Sequence, residues 1–198
     1  MSAAGRLVVA TRNEHKLDEL RAILGDVDLV PLPAGVELPP EEGHTFADNA
    51  LAKARAAAAA TGLGAIADDS GIEAAALGGR PGVRSARYAG EGAGDEENLA
   101  LLLEELEGAS DRSVAYVCAM AYAGSDGAEV VCEGRCEGVL AAVPRGSGGF
   151  GYDPAFIPAD TPPGDERTMA ELSAAEKHAI SHRGRAARAL AARIGTLR

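Results

Sequence analysis

The sequence predicts an α/β fold built on a mixed central sheet flanked by helices. Three observations predict it. Strand-like and helix-like segments alternate from residue 6 to residue 62, the pattern of a sheet covered by helices. Two long apolar segments in the middle, joined by the tetrapeptide GSDG (124–127), read as a β-hairpin. No internal repeat and no low-complexity linker interrupts the 198 residues, so they read as one domain, 1–198, able to bury a sizeable core.

The elements follow in order. RLVVA (6–10) is a short buried strand. After TRNEHK, the spacing of Leu17, Leu20 and Leu24 predicts a helix closed by Gly25. VDLVPL (27–32) is a second strand, and the Pro- and Gly-rich stretch 33–44 is loop. Thr45 and Asp48 stand as a capping box at the start of an Ala-rich helix that runs to Gly62. GAIAD (64–68) and GIEAAAL (71–77) read as strands on either side of an acidic turn. Residues 78–94 hold six glycines and no periodicity, a long loop of the functional or mobile kind. DEENLALLLEEL (95–106) is a helix with acidic residues in its first turn. The hairpin strands are 113–123 and 128–143, followed by a second Gly-rich loop, 144–154. Ser173 and Glu176 form the capping box of a last helix, interrupted near Gly184.

Composition narrows the function. The net charge of −11 argues against a nucleic-acid polymer or an anionic membrane surface as partner, since both are held by basic patches. It leaves room for a small anionic ligand, because a few cations or a metal reverse the field locally. Cys118, Cys132 and Cys136 are odd in number and lack zinc spacing, which fits reduced core thiols. With no signal-peptide pattern and no apolar run near the roughly 20 residues of a membrane span, the chain is expected in the cytoplasm.

Five stretches can carry chemistry. TRNEHK lies where a strand passes into a helix, and the unpaired N–H groups and dipole of a helix N-terminus suit phosphate. Thr11, Asn13 and Lys16 add donors, although an asparagine cap and a solvated lysine account for the pattern equally. Glu41 and Glu42 precede a helix on which Asn49 and Lys53 share a face. Asp68, Asp69 and Ser70 end an apolar strand, a natural place for a hard cation such as Mg²⁺, with an Asx turn as the plain alternative. GGFGYDP sets Phe150, Tyr152 and Asp153 among glycines, where a ring can stack on a nucleobase and a carboxylate can take its N–H, or where the chain simply turns. EKHAISHRG supplies Lys177, His178, His182 and Arg183 as a cationic, donor-rich helix end. The chain has only three lysines, Lys16, Lys53 and Lys177, against 16 arginines, and each lysine falls inside one of these stretches. That coincidence points to a polyphosphate held by ammonium groups.

Taken together, T-x-N-x-x-K, EEGHTFADNALAKA, AIADDSG, LGGRPGVRSARYAG, GGFGYDP and EKHAISHRG resemble the noncanonical purine nucleoside triphosphate pyrophosphatases, the inosine/xanthosine triphosphatases, from Leu7 to about Ala187. The resemblance implies two lobes with an active-site cleft between them, a homodimer, and Mg²⁺-dependent hydrolysis of ITP, dITP and XTP to the monophosphate and pyrophosphate. That activity would keep deaminated purines out of DNA and RNA. By the same resemblance, Thr11, Arg12, Asn13, Glu14, His15 and Lys16 hold the triphosphate, which the scarcity of lysine extends to Lys53, and Asp69 is the catalytic, metal-linked carboxylate. Ser70 touches substrate; Phe150, Gly151, Tyr152 and Asp153 hold base and sugar; Lys177 holds phosphate; His182 and Arg183 read the base. Glu41 or its neighbour Glu42 is the second metal carboxylate. A pyrimidine triphosphate pyrophosphatase and a nucleotide-sensing module are the rival readings, separable by substrate panel and by turnover.

Overall fold

The computed structural model of the chain describes residues 6–196. Six strands form one sheet, in the order β2-β1-β3-β4-β5-β6. They are β1 (Leu7–Val9), β2 (Leu29–Pro31), β3 (Gly64–Ala74), β4 (Ser113–Ala123), β5 (Glu129–Leu140) and β6 (Phe156–Pro158). The sheet is mixed: β1 runs parallel to β2 and β3, with Leu7 opposite Leu29 and Gly64, while β5 and β6 are antiparallel, with Gly138 opposite Pro158. Among the described residues, five α-helices flank it: α1 (Glu14–Leu24), α2 (Phe46–Thr61), α3 (Asp95–Glu105), α4 (Ala174–Ile180) and α5 (His182–Thr196). Both edge strands, β2 and β6, are three residues long and end in proline, which removes a ladder donor and blunts the edge.

The chain divides into two compact units that interleave along the sequence. One takes the residues up to Asp69, then Cys118–Gly134, then those from Arg183 onward; the other takes Ser70–Val117 and Arg135–His182. Because β3, β4 and β5 each contribute to both units, no linker marks a boundary. The first unit closes its core with Leu7, Val9, Leu20, Leu29, Ile66, Met120 and Leu190. Along α2, Ala50, Ala54 and Ala57 are fully buried at helical spacing, so a stripe of small side chains lets the helix pack closely. The second unit buries Ile72, Leu102, Leu106, Tyr116, Phe156 and Met169.

Local chemistry explains the helix ends. Asn13 caps α1 by accepting the Lys16 N–H at 3.2 Å, Thr45 caps α2 through the Asp48 N–H at 3.1 Å, and Ser173 caps α4 through the Glu176 N–H at 3.3 Å. Gly62 ends α2 in the left-handed conformation.

Three expectations are corrected. Residues 68–70 are not a turn: β3 runs unbroken from Gly64 to Ala74, and 75–77 is a turn of 3₁₀ helix. The last helical region breaks at Ser181, which is extended, while Gly184 lies inside α5. His178 and His182 therefore stand on different helices. β6 has no counterpart in the sequence reading, because three residues give no period to read.

Candidate active site

In the first unit, β3 delivers Asp68 and Asp69 side by side, and strand geometry turns them to opposite faces. Both are buried, at 2 % and 5 % exposure. Asp68 meets two cations. Its Oδ2 accepts from Arg183 Nε at 3.1 Å and Nη2 at 3.0 Å, and lies 3.1 Å from Lys16 Nζ. Arg183 also donates through Nη1 to Glu19 Oε2 at 2.6 Å. Burial by itself would raise the Asp68 carboxyl, but the charges of Lys16, Arg183 and Lys53 outweigh it and hold the group well below the carboxylate range.

Asp69 faces a softer field. Its Oδ2 accepts from Asn49 Nδ2 at 2.8 Å, and its Oδ1 lies 3.9 Å from Lys53 Nζ. Burial raises its pKa, Lys53 opposes the rise, and the negative charge of Glu41 adds to it. A like charge that acts on Asp69 is thus that of Glu41. Lys53 Nζ donates to Glu41 Oε1 at 2.5 Å. Burial pulls the Lys53 pKa down, but Asp68, Asp69 and Glu41 together carry it above its ordinary value. Asn49 also fastens the approach to α2, accepting the Gly43 N–H through Oδ1 at 2.7 Å. Glu41 is brought into this cluster, whereas Glu42 is exposed.

At the start of α1, Thr11 Oγ1 accepts the Asn13 N–H at 3.1 Å and Asn13 caps the helix, so both side chains have local work. Glu14 and His15 are exposed. The Arg12 guanidinium donates to the carbonyls of Leu32, Pro33, Ala34 and Val36, tying down the start of the 33–44 loop.

The second unit gathers another set. Asp153 is 3 % exposed; its Oδ2 accepts from Lys177 Nζ at 2.7 Å and from the Phe150 N–H at 3.0 Å, and its Oδ1 accepts from Tyr116 Oη at 3.1 Å. Lys177 Nζ lies 5.0 Å from the centre of the Phe150 ring. At Gly149, with φ +72°, a Cβ would come within 2.0 Å of Asp153 Oδ2, so the loop admits only glycine there. The Gly151 N–H donates to Asp95 Oδ2 at 2.7 Å, and Tyr152 Oη to the Ser85 carbonyl at 2.7 Å. Ser85 in turn accepts the Ile72 N–H at 2.9 Å and donates to the Gly82 carbonyl at 2.6 Å, which ties the Gly-rich 78–94 stretch to β3. Asn98 reinforces it from α3 by accepting the Ala89 N–H at 2.8 Å. This stretch is an anchored structural loop with a 3₁₀ helix at Gly82–Arg87.

All three lysines therefore pair with carboxylates of the stretches that the sequence singled out: Lys16 with Asp68, Lys53 with Glu41 and Asp69, Lys177 with Asp153. Consecutive residues His182 and Arg183 belong to different units. The His182 ring stacks on Tyr116 at 4.5 Å, while the Arg183 guanidinium, 2 % exposed, is committed to Asp68 and Glu19. Ser70 is half-buried on β3. Sequence reasoning missed Tyr116, Ser85, Glu19 and Asn98. Glu19, three residues beyond Lys16 on α1, carried a helical-spacing signal; Tyr116 read only as one more apolar position in a strand.

Among the described residues, no group of three or more His, Cys, Asp or Glu side chains converges on one point as a ready-made metal cage. The hard-oxygen pair Glu41 and Asp69 does converge on one cation, the Lys53 ammonium. Three cations (Lys16, Lys53, Arg183) face four carboxylates (Glu19, Glu41, Asp68, Asp69), which leaves a net charge of −1 when all are ionised. One or two carboxylates completed by substrate phosphates and water are what Mg²⁺ usually takes, so this donor set fits that ion.

The chain matches the Ham1 family over residues 7–193. It is 54 % identical over 197 residues to a dITP/XTP pyrophosphatase of Frankia alni, covering 94 % of this chain and 95 % of that protein. It is 51 % identical over 199 residues to a dITP/XTP pyrophosphatase of Mycobacterium tuberculosis, covering 94 % and 93 %. Among solved structures, a HAM1 protein from Coxiella burnetii superposes with a TM-score of 0.84 at 44 % identity, covering 96 % of this chain and 98 % of that one. A nucleoside-triphosphatase / dITP/XTP pyrophosphatase from Mycobacterium abscessus gives 0.72 at 47 % identity, covering 94 % and 97 %. With these matches in agreement over nearly the whole length, the chain belongs to the Ham1 family.

Proposed function

We propose that this protein hydrolyses ITP, dITP and XTP to the nucleoside monophosphate and pyrophosphate, and so removes deaminated purines before they reach DNA or RNA. One observation carries the reading: a buried, proton-attracting Asp69 lies beside Lys53 and Glu41, next to an Asp68 kept ionised by Lys16 and Arg183. A group poised in this way suits a general base. The relatives named as dITP/XTP pyrophosphatases support the substrate class.

In this reading, water attacks the α-phosphorus, its oxygen forms the new P–O bond, and its proton passes to Asp69 as the bond to the β-phosphate breaks. Lys16 and Lys53 supply ammonium charge to the phosphates and the leaving pyrophosphate, with the N–H groups at the start of α1 as further donors. Thr11 through His15 belong to that same helix start, and Ser70 lies one residue beyond Asp69. Glu41 and Asp69 would hold Mg²⁺, which when bound supplies charge neutralisation on the phosphate oxygens. Glu42 is the less favoured ligand because it faces solvent.

Phe150, Gly151, Tyr152 and Asp153 hold the base and sugar, with Lys177 contributing charge. Hypoxanthine and xanthine present an O6 acceptor and an N1–H donor, and adenine presents the reverse. A His182 donor aimed at O6 would therefore reject adenine, since donor would face donor. Arg183, with its guanidinium held by carboxylates, acts in this readout through its place beside His182 at the start of α5.

We infer further that the enzyme works in the cytoplasm as a homodimer. The family resemblance supports the dimer. Three buried cysteines without a disulfide, and no helix among the described residues long and apolar enough to cross a membrane, are compatible with that compartment. The test is a panel of ITP, dITP, XTP, GTP, ATP, UTP and dTTP with Mg²⁺, assayed separately for pyrophosphate and orthophosphate. Pyrophosphate from the first three is expected; orthophosphate as first product, or preference for a pyrimidine, overturns the reading.

A further inference from the structure

Tyr116 stands in the first half of β4, 6 % exposed, and touches two of the residues assigned to the purine. Two rings stack on Tyr116. Phe156 stacks at 4.3 Å with an interplanar angle of 25°, and His182 stacks at 4.5 Å and 18°. Phe156 is fully buried, so the Tyr116 ring stacks on a fixed neighbour while it also stacks on the imidazole. At the rim of the same ring, the hydroxyl donates to Asp153 Oδ1 at 3.1 Å. The opposite oxygen of Asp153 accepts from Lys177 and from the Phe150 N–H. The carboxylate is therefore pinned at both ends, and the Tyr116 hydroxyl is one of the pins.

We propose that Tyr116 is a positioning residue for purine recognition, its ring fixing the plane of His182 and its hydroxyl fixing the rotation of Asp153. The proposal rests on the reading of Asp153 and His182 as purine-binding residues. Its physical content is that two recognition groups on separate loops and helices share one rigid reference. If Tyr116 served packing alone, phenylalanine would serve as well, because it keeps the ring, the volume and both stacks. The hydroxyl matters only if the orientation of Asp153 matters. Removing it leaves one oxygen of a buried carboxylate without that donor and free to turn toward Lys177, away from the setting it holds for substrate. Removing the ring as well frees the imidazole to tilt, and a tilted donor no longer separates an O6 acceptor from an N6 donor sharply.

The test compares Tyr116→Phe and Tyr116→Leu with Asp153→Asn and His182→Ala, using ITP and ATP with Mg²⁺ and recording thermal midpoints for each variant. Tyr116→Phe is expected to fold as the parent does, to raise KM for ITP about tenfold and to leave kcat within about twofold, the split expected when binding alone is weakened. Its His182 ring-proton resonances, read by NMR, should stay in place because the stack survives. Tyr116→Leu should move those resonances, since the ring current is gone, and should lower the ratio of kcat/KM for ITP over ATP about tenfold further. If Asp153→Asn and His182→Ala raise KM while both Tyr116 variants keep the parent KM and ITP/ATP ratio, Tyr116 is a packing residue and the proposal is overturned, with the purine assignment left standing. If Asp153→Asn and His182→Ala leave KM unchanged, the purine assignment itself is wrong and the proposal falls with it. Tyr116→Phe carries the decision alone should Tyr116→Leu fail to fold.

Discussion

Asp68 and Asp69 are neighbours in sequence that contact different partners: one strand turns the first to Arg183 and Lys16 and the second to Asn49 and Lys53. Alternation along β3 is what makes two adjacent buried carboxylates tolerable. It also separates their protonation behaviour, with Asp68 pushed down by three cations and Asp69 pushed up by burial and Glu41. Paired carboxylates whose environments drive them apart are a means of assigning distinct roles to chemically identical groups.

Asp69→Asn should lower the rate of pyrophosphate release by at least about 10²-fold, the usual contribution of a general base. Asparagine keeps an acceptor for Asn49 and relieves a buried charge, so the far-ultraviolet CD spectrum and thermal midpoint should hold or rise. A folded variant turning over like the parent would remove Asp69 from the chemistry.

Arg183→Met should act on stability first. It leaves Asp68 and Glu19 facing each other's side of the cluster with one large cation gone, and breaking a buried ion pair costs about 3–5 kcal/mol. Urea midpoints measure the loss. If Arg183 served the base alone, stability would stay within experimental scatter and the ITP/ATP ratio would fall instead.

Glu176 gives a pH signature. The Ser173 hydroxyl and then Arg167 depress its folded pKa from 4.5 to about 2. A depressed carboxylate contributes stability that is complete above its unfolded value and is lost as pH falls through the folded one. The parent should therefore lose thermal stability between pH 4.5 and about pH 2 more steeply than Glu176→Gln, whose side chain does not titrate there. Equal slopes would show that the capping box holds α4, and with it Lys177, without help from the charge.

Gly71→Ala should destabilise by about 1–3 kcal/mol, the usual range for overpacking. A Cβ there would lie 2.3 Å from Ser85 Oγ and 2.5 Å from the Gly82 carbonyl oxygen. Adding Ser85→Ala should fail to restore the midpoint, since the backbone oxygen remains; full recovery in the double variant would place the whole clash on the hydroxyl.

Much of this protein was legible before any coordinates. Leucine spacing and Gly25 marked α1, Thr45 and Gly62 bracketed α2, and Ser173 with Glu176 announced α4, because capping and amphipathic periods are local physics written in adjacent residues. The scarcity of lysine pointed to Lys16, Lys53 and Lys177, and each is ion-paired within a singled-out stretch. Other features were beyond reach. The run Asp68-Asp69-Ser70 looked like a turn, since two like charges in a strand are tolerable only when cations as distant in sequence as Arg183 and Lys53 take one face each. Tyr116 looked like filler, for a stack on His182 and a hydrogen bond to Asp153 join residues 66 and 37 positions away. Local sequence fixes where helices begin and end; only the folded chain decides which charges meet, because pairing across β3, α1 and α5 depends on distances that no window of neighbouring residues contains.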